Sequence, residues 1–116
     1  MKRQQAERGG RRAEARAALF LQLKGWTILA RRVRTPVGEV DLVARRGRVV
    51  AFIEVKSRAS DAEAALALDD NRLRRVAAAA GALASRYVRP GDDMRIDAMF
   101  MVPWRLPRHM ANVWHG

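Results

Sequence analysis

Apolar residues recur at helical spacing near the start of the chain. Between residues 4 and 24, Ala13, Ala17, Phe20 and Leu21 share one face, and Gly25 supplies a natural stop. Gly9-Gly10 weakens the opening turns, so the firm helix is expected from about Arg11, with residues 1–10 a mobile basic arm. Trp26 to Val33 is a short β-rich run that Thr35-Pro36 breaks. Glu39 to Val43 largely alternates polar with apolar, as a half-buried strand does. Arg45-Arg46-Gly47-Arg48 then makes a turn, and Val49 to Lys56 forms a second strand rich in β-branched residues. Beyond the polar stretch Ser57–Asp61, Asp69 or Asp70 caps an alanine-rich helix reaching about Arg86, with Leu73, Val76, Ala77, Ala80 and Leu83 on one face. Pro90-Gly91 ends that unit, Met94 to Val102 reads as a strand, and the tail from Pro103 has room for one more short strand. The order is α-β-β-β-α-β, an α/β sandwich around a mixed sheet, and 116 residues hold one such domain.

The hairpin from Glu39 to Lys56 concentrates the chemistry. A two-residue loop at Arg46-Gly47, or a four-residue loop at 45–48, places Asp41 opposite Phe52 and Glu39 opposite Glu54. Alternation then projects Glu39, Asp41, Phe52, Glu54 and Lys56 from one face, with Asp41 and Glu54 as diagonal neighbours. Scattered acids and lysines on a solvated face are common and mean little. Here, however, Val50-Ala51-Phe52-Ile53 is continuously apolar, the mark of a strand covered on both sides, where three acids need a cation. Mg²⁺ is suited to carboxylate oxygens plus water, and a lysine two residues from Glu54 is placed to orient that water or offset phosphate charge.

Charge narrows the class of partner. Twenty-three basic residues against 12 acidic give +11, a field that favours polyanions, although arginine-rich coding alone can produce such a balance. Lys2, Lys24 and Lys56 are the three lysines among those 23, so Lys56 falls within an arginine-dominated chain where a compact ammonium stands out. The absence of cysteine excludes disulfides, thiolate-bound zinc, iron–sulfur clusters and thiol catalysis. The basic start lacks a signal-peptide core, and the low-charge run Val76–Ala84 is too short to span a bilayer, so a cytoplasmic protein without membrane attachment is expected.

Gly38-Glu39-Val40-Asp41-Leu42-Val43 followed by Phe52-Ile53-Glu54-Val55-Lys56-Ser57-Arg58 resembles the YraN-like proteins, a bacterial group within the PD-(D/E)XK nuclease superfamily. Gly10 to Ala18, Arg95-Ile96-Asp97 and His109-Met110-Ala111-Asn112 extend the resemblance over nearly the whole chain. It implies a restriction-endonuclease-like, Holliday-junction-resolvase-like fold. Asp41 and Glu54 would be metal ligands and Lys56 the catalytic lysine. Glu14 matches the acidic residue that related resolvases place on the first helix near the metal, and Glu39 matches the motif with a less settled role. The chain departs from the pattern at Asn71, where the family usually opens its second helix with lysine; the adjacent Arg72 offers phosphate binding instead.

The expected activity is Mg²⁺-dependent endonuclease cleavage (Mn²⁺ as a substitute), on DNA in preference to RNA and on branched or structured forms, with homodimerisation an option. Arg58, Arg72 and Arg75 are the candidate phosphate contacts, although the arginines of an amphipathic helix are more often merely solvated. The alternative is a non-catalytic nucleic-acid-binding module on the same fold. Asp97 reads as a structural partner for Arg95 or nearby backbone, and His109 and His115, without companions at metal spacing, as structural or surface residues. Trp104 and Trp114 are more readily core-edge residues than base-stacking ones.

Overall fold

The computed structural model describes residues 2–65 and 69–115; the side chains of residues 2–9, 61 and 65 lie outside that description. Helix α1 spans Lys2–Leu23, so Gly9-Gly10 does not interrupt it, while the side chains of most of the expected basic arm lie outside the described residues. Three strands follow, β1 (Thr27–Thr35), β2 (Gly38–Arg46) and β3 (Val49–Ser57), then a short helix α2 (Asp61–Ala65). Helix α3 (Asp70–Tyr87), strand β4 (Asp93–Met101) and strand β5 (Arg108–Met110) complete the order. The described strands form one mixed sheet in the order β1-β2-β3-β4-β5, in which β3 and β4 are parallel and every other pair antiparallel. A parallel pair needs a long crossover, and α3 provides it. Among the described elements α2 alone has no counterpart in the sequence pattern, since five residues are too few for periodicity to register.

Alternation along β3 explains why helices cover both faces of the sheet. Ala51 and Ile53 pack with Ala17, Leu21 and Trp26 on the α1 side. Val50 and Phe52 pack with Leu73, Val76, Ala80 and Leu83 on the α3 side. Of the predicted α3 stripe, Ala77 is only half-buried and Ala79 takes its place in the core. Asp69 caps α3, its carboxylate accepting the Arg72 N–H at 2.9 Å, which anchors the first turn of the helix beside the sheet.

The hairpin register corrects the expectation. Gly47 has φ +62°, and the two-residue turn is Gly47-Arg48, because primed turns need a positive φ at their first central position. Arg46 therefore pairs with Val49 and Val43 with Phe52, two residues out from the predicted pairing. Parity survives a shift of two, so the residues paired in the ladder, Leu42–Arg46 with Val49–Ile53, keep their faces. Asp41 now falls across from Glu54, one step past the last ladder pair Leu42–Ile53, and not across from Phe52.

A second irregularity lies at the same level. Val40 and Val43, three residues apart, both enter the α3-side core, which strict alternation forbids. The break falls at Asp41, and its neighbour across β1, bracketed by the pairs Arg31–Leu42 and Val33–Val40, is Arg32 with φ +53°. Among the described residues no helix is long and apolar enough to cross a membrane.

Candidate active site

Glu54 lies in the middle of β3, with its side chain on the α3 side and only 3% exposed. Such burial demands partners, and two cations meet on one oxygen. Lys56 Nζ is 2.6 Å from Oε1, while Arg72 donates to it from Nη2 at 3.0 Å and Nε at 3.2 Å. Lys56 is nearly as buried as Glu54, because residues two apart on a strand share a face. Arg72 arrives from the first turn of α3. Burial works against its charge, but Glu54, Asp41 and Glu39 together make it more basic than an ordinary arginine.

Asp41 has a different environment. Where the β2–β3 ladder stops, its carboxylate Oδ2 accepts the Val55 N–H at 2.7 Å. Burial first, then repulsion from Glu54, pushes its carboxyl up to about 6; Glu14 adds to this, while the Val55 N–H and Lys56 oppose it. Two interacting carboxylates thus lie at the end of the ladder, and the cations in contact sit on Glu54.

Glu14 joins through a cavity of about 140 Å³ lined by Gly10, Glu14, Arg32, Arg34, Glu39 and Asp41, among others. Burial raises the Glu14 carboxyl against the pull of Arg32, Arg31 and Arg11, with Arg32 Nε at 3.7 Å. Glu39 is exposed, 3.6 Å from Arg34, and also lines a smaller cavity of about 30 Å³ with Glu54, Arg72, Arg75 and Val76. The fold therefore brings Glu14, Glu39, Asp41, Glu54, Lys56, Arg72 and Arg75 to one end of the sheet. Arg58 is not brought in: it lines neither cavity, and its Nη1 turns to the Ser57 carbonyl at 2.7 Å. Arg32 and Arg34 are the residues that sequence reasoning missed. Their shared parity on β1 was the available signal, but nothing in the sequence pointed that strand at Asp41.

Among the described residues no three acidic or imidazole side chains converge closely enough to hold a metal ion unaided. Two neighbouring carboxylates do suit a small divalent cation, since Mg²⁺ takes one or two carboxylates and completes its shell with water and substrate oxygens. The raised Asp41 carboxyl marks where positive charge is wanted.

Asp97 and His109 belong elsewhere. Asp97 is fully buried in register with Ile53, on the α1 side, and accepts from Arg95, from His109 Nε2 at 2.7 Å and from the Asn112 N–H at 2.9 Å. His109 also meets the Trp26 ring edge-on, so both are structural, as the sequence suggested. Trp114 packs against the α3-side core, whereas Trp104 is fully exposed and closes no core edge.

The family described as "Uncharacterised protein family UPF0102" matches residues 13–101. The chain belongs to the UPF0102 family. UPF0102 proteins similar to it include one from Sphingopyxis alaskensis, 63% identical over 98% of each chain, and one from Erythrobacter litoralis, 59% identical over 98% of each. Another from Mesorhizobium japonicum is 49% identical over 98% of this chain and 92% of its own. The UPF0102 match opens one residue before Glu14 and includes Asp41, Glu54, Lys56 and Arg72. It ends at Met101, before β5 and His109.

Proposed function

We propose that this protein is a Mg²⁺-dependent endonuclease of the restriction-endonuclease-like fold that hydrolyses phosphodiester bonds in DNA, with branched or structured DNA as the preferred form. The observation that carries this reading is the interacting pair Asp41 and Glu54 just past the end of a ladder, with Lys56 2.6 Å from Glu54. A bound divalent cation supplies charge against the phosphodiester and makes water a better nucleophile. Asp41 and Glu54 would hold it, with Glu14 and Glu39 lining the Asp41 cavity and Glu39 lining the smaller Glu54 cavity as well. Lys56, fixed by its buried contact, sets a positive charge where the pentavalent phosphorus develops negative charge. Water adds to phosphorus, one P–O ester bond breaks, and the departing sugar oxygen takes a proton. Arg72 and Arg75, together with Arg32 and Arg34 at the cavity rim, supply forks for the flanking phosphates. On this reading the protein acts in the cytoplasm, Mn²⁺ substitutes for Mg²⁺, and a two-fold pair of chains cuts two strands.

A second reading has its own observation. Glu54 is already neutralised by Lys56 and Arg72, as in a binding module that keeps the fold without turnover. A cleavage panel of linear, flapped and four-way DNA, with matching RNA, decides between them. In Mg²⁺ or Mn²⁺ the parent should nick at least one DNA form, and D41N and K56A, folded by circular dichroism, should not. Equal cutting by parent and variants would sink the site assignment. Salt-sensitive binding with no cleavage in either metal, and indifference to chelation, would favour the module.

A further inference from the structure

The two cations on Glu54 are not equivalent. Lys56 keeps its side chain 7% exposed, whereas that of Arg72 is 53% exposed. Withdrawing Lys56 would strand an ammonium in a closed site. Arg72 can swing into solvent without exposing core, because α3 is anchored by the backbone N–H of Arg72 on Asp69 and not by its guanidinium. Both Arg72 donors fall on the same oxygen that Lys56 already holds. Arg72 and Arg75 line one cavity with Glu39 and Glu54, so the released guanidinium would have an acid-and-arginine rim to move along and phosphate within reach.

We infer that Arg72 is an exchangeable counter-ion: it occupies Glu54 in the metal-free protein, yields that carboxylate to a divalent cation, and then binds a phosphate of the nucleic acid. The inference rests on the proposed metal-dependent reading of the Asp41–Glu54 site. It makes metal and nucleic acid bind with positive coupling. Metal frees the guanidinium that phosphate needs, and phosphate holds the guanidinium away from the carboxylate that metal needs. Linkage makes that coupling reciprocal, each ligand tightening the other by the same factor.

The tests use binding and no turnover. Mn²⁺ titrated alone into the parent, R72Q and D41N by calorimetry reads competition at the carboxylates. A labelled duplex oligonucleotide, followed by anisotropy over a series of salt concentrations in Ca²⁺ and in EDTA, reads the phosphate contact. R72Q should bind Mn²⁺ about fivefold more tightly than the parent, at the low end of typical coupling factors. In Ca²⁺ its log–log salt slope should be lower than the parent's by about one phosphate contact; in EDTA the two slopes should coincide, because Arg72 is then held on Glu54. R72K, with charge but no fork, should keep the slope and lose part of the affinity.

Mn²⁺ binding that D41N abolishes but R72Q leaves unchanged or weakens overturns the counter-ion role and leaves the metal site standing. A slope reduced equally in Ca²⁺ and EDTA also overturns it, since Arg72 would then be a fixed phosphate contact. If the parent takes up no Mn²⁺ at all, the metal-dependent reading falls and this inference with it.

Discussion

The Lys56 ammonium lies 2.6 Å from Glu54 Oε1, and both side chains are almost closed to solvent. Removing one member of such a pair commonly costs 3–5 kcal/mol, because the other is left charged in a poor solvent. Here Arg72 stays behind as a second partner for Glu54, so K56M should cost less, about 2 kcal/mol. Adding E54Q to K56M removes the stranded charge and should recover more than half of that loss. Urea midpoints for the four members of the cycle measure it, and a double variant less stable than K56M would show that the pair is not what sets the cost.

Asp41 makes a pH dependence of unusual sign. Its carboxyl sits at about 6 in the folded protein, above the ordinary 3.8. The folded state therefore holds this proton more tightly than the unfolded chain does. That stabilisation is complete below about pH 4 and disappears as pH rises through 6, a loss on the order of 2–3 kcal/mol. D41N keeps an oxygen for the Val55 N–H and carries no charge, so its stability should exceed the parent's at pH 7 and lack this slope between pH 4 and 6. Mg²⁺ at pH 7 should raise the melting temperature of the parent and leave D41N unmoved. Parallel pH profiles for the two proteins in EDTA would refute the assignment.

Gly38 opens β2 directly beneath α3. A Cβ at this position would lie 2.3 Å from the Arg75 carbonyl oxygen, and backbone on both sides has little freedom to yield. G38A should force α3 away from β2 and cost roughly 1–3 kcal/mol, as overpacking does. Since Arg75 and Glu39 share the smaller cavity, the same change should weaken duplex binding even where the protein remains folded. Thermal unfolding and anisotropy on one preparation test both parts; a stable variant with unchanged binding would mean that the contact is relieved without moving the helix.

Most of this architecture was legible because each long element carries one clean signal. The apolar stripe of α3, the alternation of β2 and the continuous run Val50–Ile53 fixed the order of elements and the cover on both faces of β3. The common face of Phe52, Glu54 and Lys56 was legible through parity, which tolerates an error of two in register; parity does not carry Asp41, where the alternation of β2 breaks. The register itself was not legible, since Arg46-Gly47 and Gly47-Arg48 are equally good two-residue loops until the positive φ needed at the first central position falls to Gly47 and not to Arg46. The flip at Asp41 was invisible for a related reason: it lies opposite Arg32, which adopts φ +53° in a neighbouring strand, and no local propensity marks that residue. Arg72 was found as a phosphate candidate from charge alone. Its contact with Glu54 depends on how α3 docks, a tertiary fact with no sequence period.

Asp97 offers a control on the opposite face of the sheet. Burial would raise its carboxyl, but hydrogen bonds from His109, Arg95 and the Asn112 N–H outweigh burial and hold it below the usual range. Its stabilisation is thus present above the unfolded carboxylate value and is lost as pH falls towards the lower folded value, the reverse of Asp41. D97N keeps the shape and discards the charge under three donors, so a loss of about 3 kcal/mol or more is expected. The damage should concentrate in β5 and the chain after it, because Asp97 holds His109 and Asn112 while the Val113 N–H reaches the Ile96 carbonyl at 2.8 Å. Amide exchange at Met110 and Val113 should accelerate well before exchange at Ile53. H109A, which leaves Arg95 and the Asn112 N–H in place, should lose only about 1–2 kcal/mol. Mn²⁺ affinity at neutral pH should be the same in D97N as in the parent, because Asp97 shares the α1 side with Ile53 while Glu54 faces α3. A folded D97N that no longer takes up Mn²⁺ would move Asp97 from scaffold into the site.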